Sequence, residues 1–308
     1  MIHITEQQVR EALPMSKAIE LVEEAFRRLD SNKAVNQPRR RVVMENRTVL
    51  HYMAAGDNES GYLGTKVYAT GRHGANFMVL LFEAETSTLL ATIEANALGQ
   101  IRTGAASGVA TQYMARKDAA TLAMIGSGYQ AETQLEAVAN VRELSAVKVY
   151  SRSPERRAAF AEKMAGRLNL TIEPVETAAV AAAGADIIST VTNAREPVLR
   201  GNMVAPGCHI NAAGSNHAKR GEIDADAVAR AAVVAADSVE QAQIEAGDLI
   251  GAAHEGRLEW GRVDELSSIV AGHTPGRTND SDITLFESQG LAVEDIAVAG
   301  YIYEQVSR

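Results

Sequence analysis

The sequence predicts an α/β protein: a doubly wound parallel sheet in its larger, C-terminal part, preceded by an α+β region. Three observations carry this expectation. Residues 121–125 form an apolar run, Thr121-Leu-Ala-Met-Ile125, that reads as a buried parallel strand and passes straight into Gly126-Ser127-Gly128-Tyr129-Gln130-Ala131 and a helical pattern. From Asp118 onward, strand-like runs alternate with helical ones, the mark of a parallel sheet with crossover helices. Between Arg41 and Ala97 the runs are instead short, rich in β-branched and aromatic residues and separated by turn residues, as in an antiparallel or mixed sheet.

Taken in order, residues 5–30 carry Val9, Leu13, Ile19, Val22, Ala25, Phe26 and Leu29 at helical spacing, with Thr5 placed as an N-cap. Strands are expected at 41–44, 48–53, 63–68 and 77–83, with turns at Gly56-Asp-Asn58, Gly71-Arg-His-Gly74 and Glu85-Thr-Ser-Thr88. Residues 100–113 are small and helical. Further strands are expected at 121–126, 146–150, 186–190, 209–213 and 232–235, with helices between them, one at 154–168, and a last helix at 292–306. This organisation predicts two domains, residues 1–117 and 118–290, with the final segment, about 291–308, packing back on the first.

Composition narrows the function. With 46% hydrophobic and 22% charged residues, the chain can bury a sizeable core. A formal charge of -9 and the lack of a basic stripe argue against nucleic acid; Arg39-Arg40-Arg41 is the only dense basic cluster. No apolar run is long enough to span a bilayer, and Met1-Ile-His-Ile-Thr-Glu6 lacks the charge and apolar stretch of a signal peptide. The single cysteine, Cys208, fits a reducing compartment and reads as a small core residue, so a cytoplasmic location is expected. Asp224 and Asp226 show no metal-ligand spacing with any histidine or cysteine, and no metal is expected.

The stretch from Gly126 to Ala131 has the strand–turn–helix setting of a dinucleotide fingerprint in a Rossmann-type domain. There Gly126 allows the tight turn, Gly128 lets a pyrophosphate approach, and Ala131 packs helix on sheet. Ser127, Tyr129 and Gln130 lie where free helix amides meet phosphate. The next strand ends in Ser151-Arg152-Ser153, with no carboxylate to accept the ribose 2′-hydroxyl bonds. An arginine there can pair with a 2′-phosphate, which favours NADP(H) over NAD(H). Alternatively, Arg152 is solvated and Ser153 caps the helix beginning at Pro154. Thr192, just past the strand at 186–190, completes the expected cofactor set.

Four further motifs occur in order around the fingerprint: Gly64-Thr-Lys66-Val-Tyr68, Gln100-Ile-Arg102-Thr-Gly-Ala-Ala-Ser107, Gly207-Cys-His-Ile-Asn-Ala-Ala-Gly214-Ser-Asn216 and Asp282-Ile-Thr-Leu-Phe-Glu-Ser-Gln-Gly290. With them the chain resembles the ornithine cyclodeaminase/mu-crystallin family along essentially its whole length. The resemblance implies a homodimer whose first domain supplies the dimer sheet and the substrate pocket. It also implies three cations around a substrate carboxylate: one of Arg39–Arg41, taken as Arg40 from the spacing after Pro38, with Lys66 and Arg102. A planar guanidinium suits a carboxylate, and a lysine on an apolar strand is costly unless paired. Thr103 is placed near the cofactor phosphates. Where the family's deaminating enzymes have an aspartate, this chain has Asn216, which cannot take a proton; it could instead orient the nicotinamide or the substrate. Where they have an acidic residue in the second strand, it has His51, either a proton donor or a hydrogen-bonded structural histidine. The implied activity is NAD(P)H-dependent reduction of a cyclic ketimine or other 2-imino carboxylate. The alternatives are ornithine cyclodeamination, amino-acid oxidation, and non-catalytic ligand binding.

Overall fold

The structure is a computed structural model and describes residues 1–72 and 74–307, so the turn expected through His73 lies partly outside the described residues. The chain divides into two compact units, Met1–Ala106 with Gly290–Arg308, and Ser107–Gln289.

The first unit opens with β1 (Ile2–Ile4), α1 (Glu6–Ala12) and α2 (Met15–Asp30). Thr5 caps α1 in a reciprocal capping box with Gln8. The single helix expected over 5–30 is two helices, because Pro14 has no amide to donate and instead becomes the N-cap of α2. Five strands follow: β2 (Ala34–Val43), β3 (Val49–Asp57), β4 (Tyr62–Gly71), β5 (Gly74–Glu83) and β6 (Leu89–Glu94). Their order is β1-β6-β5-β4-β3-β2, antiparallel throughout except for the parallel β1–β6 pair. The sheet is mixed, as the pattern predicted, but β1 and β6 were not foreseen; both are short.

Helix α3 (Asn96–Met114) leads into the second unit. The division falls within it, earlier than the expected boundary at 117–118. Its last turns are tied to the second unit, where Thr111 accepts from the Asn211 amide and Arg142 donates to the Thr111 carbonyl.

The second unit contains β7 (Thr121–Ile125), α4 (Tyr129–Val141), β8 (Ala146–Tyr150), α5 (Pro154–Leu168), β9 (Ile172–Pro174), α6 (Ala178–Ala182), β10 (Ile187–Thr190) and β11 (His209–Ala212). It continues through α7 (Ala225–Arg230), β12 (Val233–Ala236), α8 (Val239–Glu245), α9 (Gly247–His254), β13 (Val263–Glu265), α10 (Leu266–Ala271) and β14 (Thr284–Glu287). The eight strands form a fully parallel sheet in the order β13-β12-β14-β11-β10-β7-β8-β9. Strand order therefore reverses between β7 and β10, the topological switch point at which doubly wound sheets bind ligands. Apolar clusters cover the sheet, one built around Ile188, Ile210 and Leu285 and another around Leu122, Val149 and Leu135. Cys208 is buried in the first of these, and burial raises its thiol to about 12, so it is a core residue rather than a nucleophile.

The chain returns to the first unit with α11 (Ala292–Val306), the helix expected at 292–306, which packs on β3, β4 and α2. Among the described residues no helix is long and apolar enough to cross a membrane.

Candidate active site

In the second unit a cavity of about 670 Å³ opens at the carboxyl ends of β7, β8, β10 and β11. It is lined by Gly126, Ser127, Gly128, Tyr129 and Gln130 after β7, by Ser151, Arg152 and Ser153 after β8, and by Thr192 after β10. Nine expected cofactor residues thus meet at one place. Gly126 has φ +126, and any side chain there would collide with the Val191 carbonyl. Gly128 is the N-cap of α4 and has no side chain to cap it, so the start of that helix, with its positive dipole end, faces the cavity. Ala131 lies behind the cavity, fully buried against Leu122 and Leu135, in the packing role given to it.

The sugar end of the cavity is built from hydroxyls and cations. Ser127 Oγ donates to Ser151 Oγ at 2.8 Å, and Ser153 caps α5 through the Arg156 amide. Arg152 Nη2 donates to Asn193 Oδ1 at 3.1 Å, and Arg156 joins it in the wall. Among the described residues no carboxylate is in the lining, although the hydroxyl of Ser153 in the wall donates to Glu155 Oε2 at 2.7 Å. Arg156, Tyr150 and Asn193 were not singled out from sequence, because only the fold brings them alongside the fingerprint.

Beneath the same cavity lies a buried acid. Glu222 Oε1 accepts from the Thr192 amide at 2.5 Å and Oε2 from the Gly214 amide at 2.7 Å, joining the two wall segments that follow β10 and β11. Burial raises Glu222 to about 7, and neighbouring Asp248, itself raised to about 6 by burial, adds to the effect.

The first unit holds the cations. On β3 and β4, His51 pairs with Tyr68 and Met53 with Lys66, so Lys66 shares a sheet face with His51 and the buried Met53. Lys66 Nζ donates to Asp295 Oδ1 at 2.8 Å, and Arg102 Nε donates to the same oxygen at 2.9 Å. Arg102 Nη1 also reaches Glu294 Oε2 at 3.1 Å. All four side chains are buried. Burial lowers the Lys66 ammonium to about 8, Asp295 raising it and Arg102 and Arg39 lowering it further. For Asp295, burial opposes ionisation, but Arg102 and Lys66 hold its carboxyl below the ordinary range.

The third cation buried in this unit is Arg39; Arg40, the one taken from the spacing after Pro38, is exposed. A bulge between Gln37 and Arg40 interrupts the β2–β3 register. Pro38 sits within it on an edge strand, the place where a residue without an amide is tolerated. Plain alternation from Asn36 would bring Arg40 inward; the extra residue instead turns Pro38 and Arg39 to the buried side and leaves Arg40 exposed. Arg39 Nη2 donates to the Gly290 carbonyl at 3.1 Å. Gly290 has φ +77, and a side chain there would strike the Arg102 guanidinium.

His51 faces the same way but is not an imidazolium. Its ring stacks on Tyr68 at 4.3 Å, and Nε2 lies 3.1 Å from Thr70 Oγ1. Burial, with Arg41 and Arg39, lowers it to about 4, so it is neutral at physiological pH. Thr103 is in the first unit, where its hydroxyl donates to the Gly99 carbonyl. Asn216 lies in the exposed loop after β11, two residues beyond Gly214, and does not line the cavity. Asp295 and Glu294 were missed from sequence; the available signal was two adjacent carboxylates in an otherwise apolar helix, Leu291-Ala-Val-Glu-Asp-Ile-Ala-Val-Ala-Gly300.

The comparisons agree with this architecture. The chain is 35% identical over 315 residues to a Delta(1)-pyrroline-2-carboxylate reductase of Bacillus cereus, covering 99% of this chain and 96% of the relative. A solved structure of the Thermococcus litoralis Delta(1)-pyrroline-2-carboxylate reductase in complex with NADH and L-proline matches with a TM-score of 0.96 at 36% identity, covering 100% of this chain and 98% of the other. The iminosuccinate reductase of Paracoccus denitrificans in complex with NAD+ matches with a TM-score of 0.93 at 30% identity, over 99% and 96% of the two chains. The model of the ornithine cyclodeaminase/mu-crystallin family matches residues 2–308, and the chain belongs to that family.

Proposed function

We propose that this protein is a nicotinamide-dependent reductase of cyclic 2-imino carboxylates, with Δ1-pyrroline-2-carboxylate, the compound named for its relatives, as the leading substrate. The observation that carries the reading is the buried grouping of Arg39, Lys66 and Arg102, three cations set against two carboxylates, Glu294 and Asp295, so that the group has one more cation than carboxylate and suits a further anion.

In this reading Arg39 and Arg102 hold the substrate carboxylate and fix the plane of the C=N bond. Lys66, lowered to about 8, delivers a proton to the imine nitrogen at neutral pH. A nicotinamide cofactor held by the Gly126–Gln130 turn would supply hydride for the imine carbon, giving the saturated amino acid. Neutral His51 stacks beside this face and shapes it. Asn216 in place of an acid leaves no base at that position for the side-chain amine of a diamino acid, which sets the reading against ornithine cyclodeamination.

The cavity fits a dinucleotide through Gly126, the uncapped start of α4 and the hydroxyl-rich end of β8. Two arginines and no carboxylate in the wall favour the 2′-phosphorylated form, NADPH. The protein is further read as a homodimer formed through the outer face of its mixed sheet. Register places Val35, Val42, Leu50, Tyr52 and Leu63 together on the side opposite Lys66, all of them exposed.

The deciding experiment follows NADPH and NADH absorbance with Δ1-pyrroline-2-carboxylate, Δ1-piperideine-2-carboxylate and iminosuccinate. Rapid oxidation with a cyclic imine is expected. Silence with all three, together with ammonia release from ornithine without net cofactor consumption, would overturn the reading.

A further inference from the structure

Asp295 is fully buried on α11 and, as an anion, is unsuited to hold a substrate carboxylate, yet both Lys66 and Arg102 converge on one of its oxygens. An ion pair serving stability alone gains most from a bidentate arrangement that uses both carboxylate oxygens. Here Oδ1 takes both donors, and Oδ2 is buried with no hydrogen-bond partner among the described residues. Lys66 likewise makes a single hydrogen bond among the described residues, although an ammonium has three donors and this one is shut off from water. Leaving donors unused in the interior is costly unless something else fills them. The other charged and titratable groups around Lys66 are Glu294 on α11, Arg102 on α3, Arg39 on β2, and His51 and Tyr68 on the same sheet face. Of these the two arginines oppose its charge, and Asp295 is the carboxylate bonded to it.

We propose that Asp295 is the positioning residue for the proton donor: its shared oxygen keeps Lys66 an ammonium against two neighbouring arginines and leaves that ammonium's remaining N–H bonds for the substrate. This rests on the reading of Lys66 as the donor to the imine nitrogen. The proton that leaves Lys66 goes to that nitrogen, and the amine is recharged from solvent between turnovers. Asp295 itself stays ionised throughout.

The test is Asp295→Asn, which keeps shape and removes charge. Losing an opposite charge at hydrogen-bond distance moves a partner's titration by about one pH unit or more. The alkaline limb of kcat/KM for the imine is therefore expected to move to lower pH, adding about a tenfold loss at pH 9 beyond any loss at pH 6. Asp295→Glu, which keeps the charge, should leave the limb in place even if turnover slows. A uniform loss at every pH with an unmoved limb, or no change at all, would overturn the proposal in favour of a structural ion pair. If Asp295→Asn fails to fold, a displaced limb in Asp295→Glu would do the same. The 13Cε resonance of Lys66, assigned with Lys66→Arg and titrated in wild type and Asp295→Asn, reads the same shift without turnover. An unmoved midpoint there sinks the proposal, whereas a wild-type enzyme that consumes no cofactor with imines sinks only the function on which it rests.

Discussion

Arg39 and Arg40 are neighbours in sequence with opposite surroundings: one is buried against the Gly290 carbonyl and the other faces solvent. If the buried arginine holds the carboxylate, Arg39→Ala should lower kcat/KM by about a hundredfold or more, since a charge-assisted bond to a buried anion is worth roughly 2–3 kcal/mol. Arg40→Ala should change it less than threefold. Steady-state kinetics on the two variants decide the assignment, and equal losses would return the role to the cluster as a whole. Arg152 offers a second contrast at this scale. It lines the cavity and reaches Asn193, so if it pairs with a 2′-phosphate, Arg152→Ala should raise the KM for NADPH at least tenfold and that for NADH little. A parallel rise in both would remove the case for 2′-phosphate recognition.

At the scale of elements, the turn from β7 into α4 positions the cofactor cavity more than any other segment. Gly126 holds φ +126, and its amide donates to the Tyr150 carbonyl at 2.8 Å, so strand end and neighbouring strand are locked together. Gly126→Ala therefore meets both an unfavourable backbone region, about 1–3 kcal/mol, and the Val191 carbonyl. Cofactor affinity measured by NAD(P)H fluorescence should fall more than tenfold, with a lower melting temperature; a variant that binds normally would show that the turn can relax. The edge strand β2 makes a related point. A proline lies within its bulge, and across that bulge Arg39 is buried while Arg40 is exposed.

Two properties belong to the whole molecule. The first is the proposed assembly: Leu50 and Tyr52 lie on the exposed apolar face of the mixed sheet, and if that face forms the dimer, Leu50→Glu with Tyr52→Glu should yield monomers. Sedimentation velocity measures this, and a wild-type monomer would remove the proposed interface. The second is the response of stability to pH. Glu222 titrates near 7 in the folded protein because it is buried, against about 4.5 when unfolded. A carboxyl raised on folding binds more protons folded than unfolded, so it lowers stability as pH climbs from about 4.5 through 7. Glu222→Gln removes that penalty but sets an amide donor against the Thr192 or Gly214 N–H. Whatever the gap between variant and wild type at pH 4.5, denaturant unfolding should show it moving toward the variant by pH 7.5.

How much was legible in the chain depended on how local each cause was. The dinucleotide turn, the parallel strands β7, β8, β10, β11 and β12, the N-cap at Thr5 and the last helix were readable because hydrophobic period, glycine placement and caps are properties of consecutive residues. Lys66 and Arg102 could be named from motifs, being charged residues among small and apolar neighbours. The short strands β1, β6, β9, β13 and β14 were not readable, because their place in a sheet depends on partners distant in the chain. The same holds for the site. Arg39 rather than Arg40 was decided by a register shift against β3, and the neutrality of His51 by burial beside Arg41 and Arg39. Asp295 lies 229 residues from the lysine whose charge it holds. Residue type and spacing, with the family resemblance they carry, named the dinucleotide turn and two of the three buried cations, Lys66 and Arg102. The tertiary structure alone decided which charges meet and in what protonation state, because desolvation and pairing arise only when distant segments exclude water together.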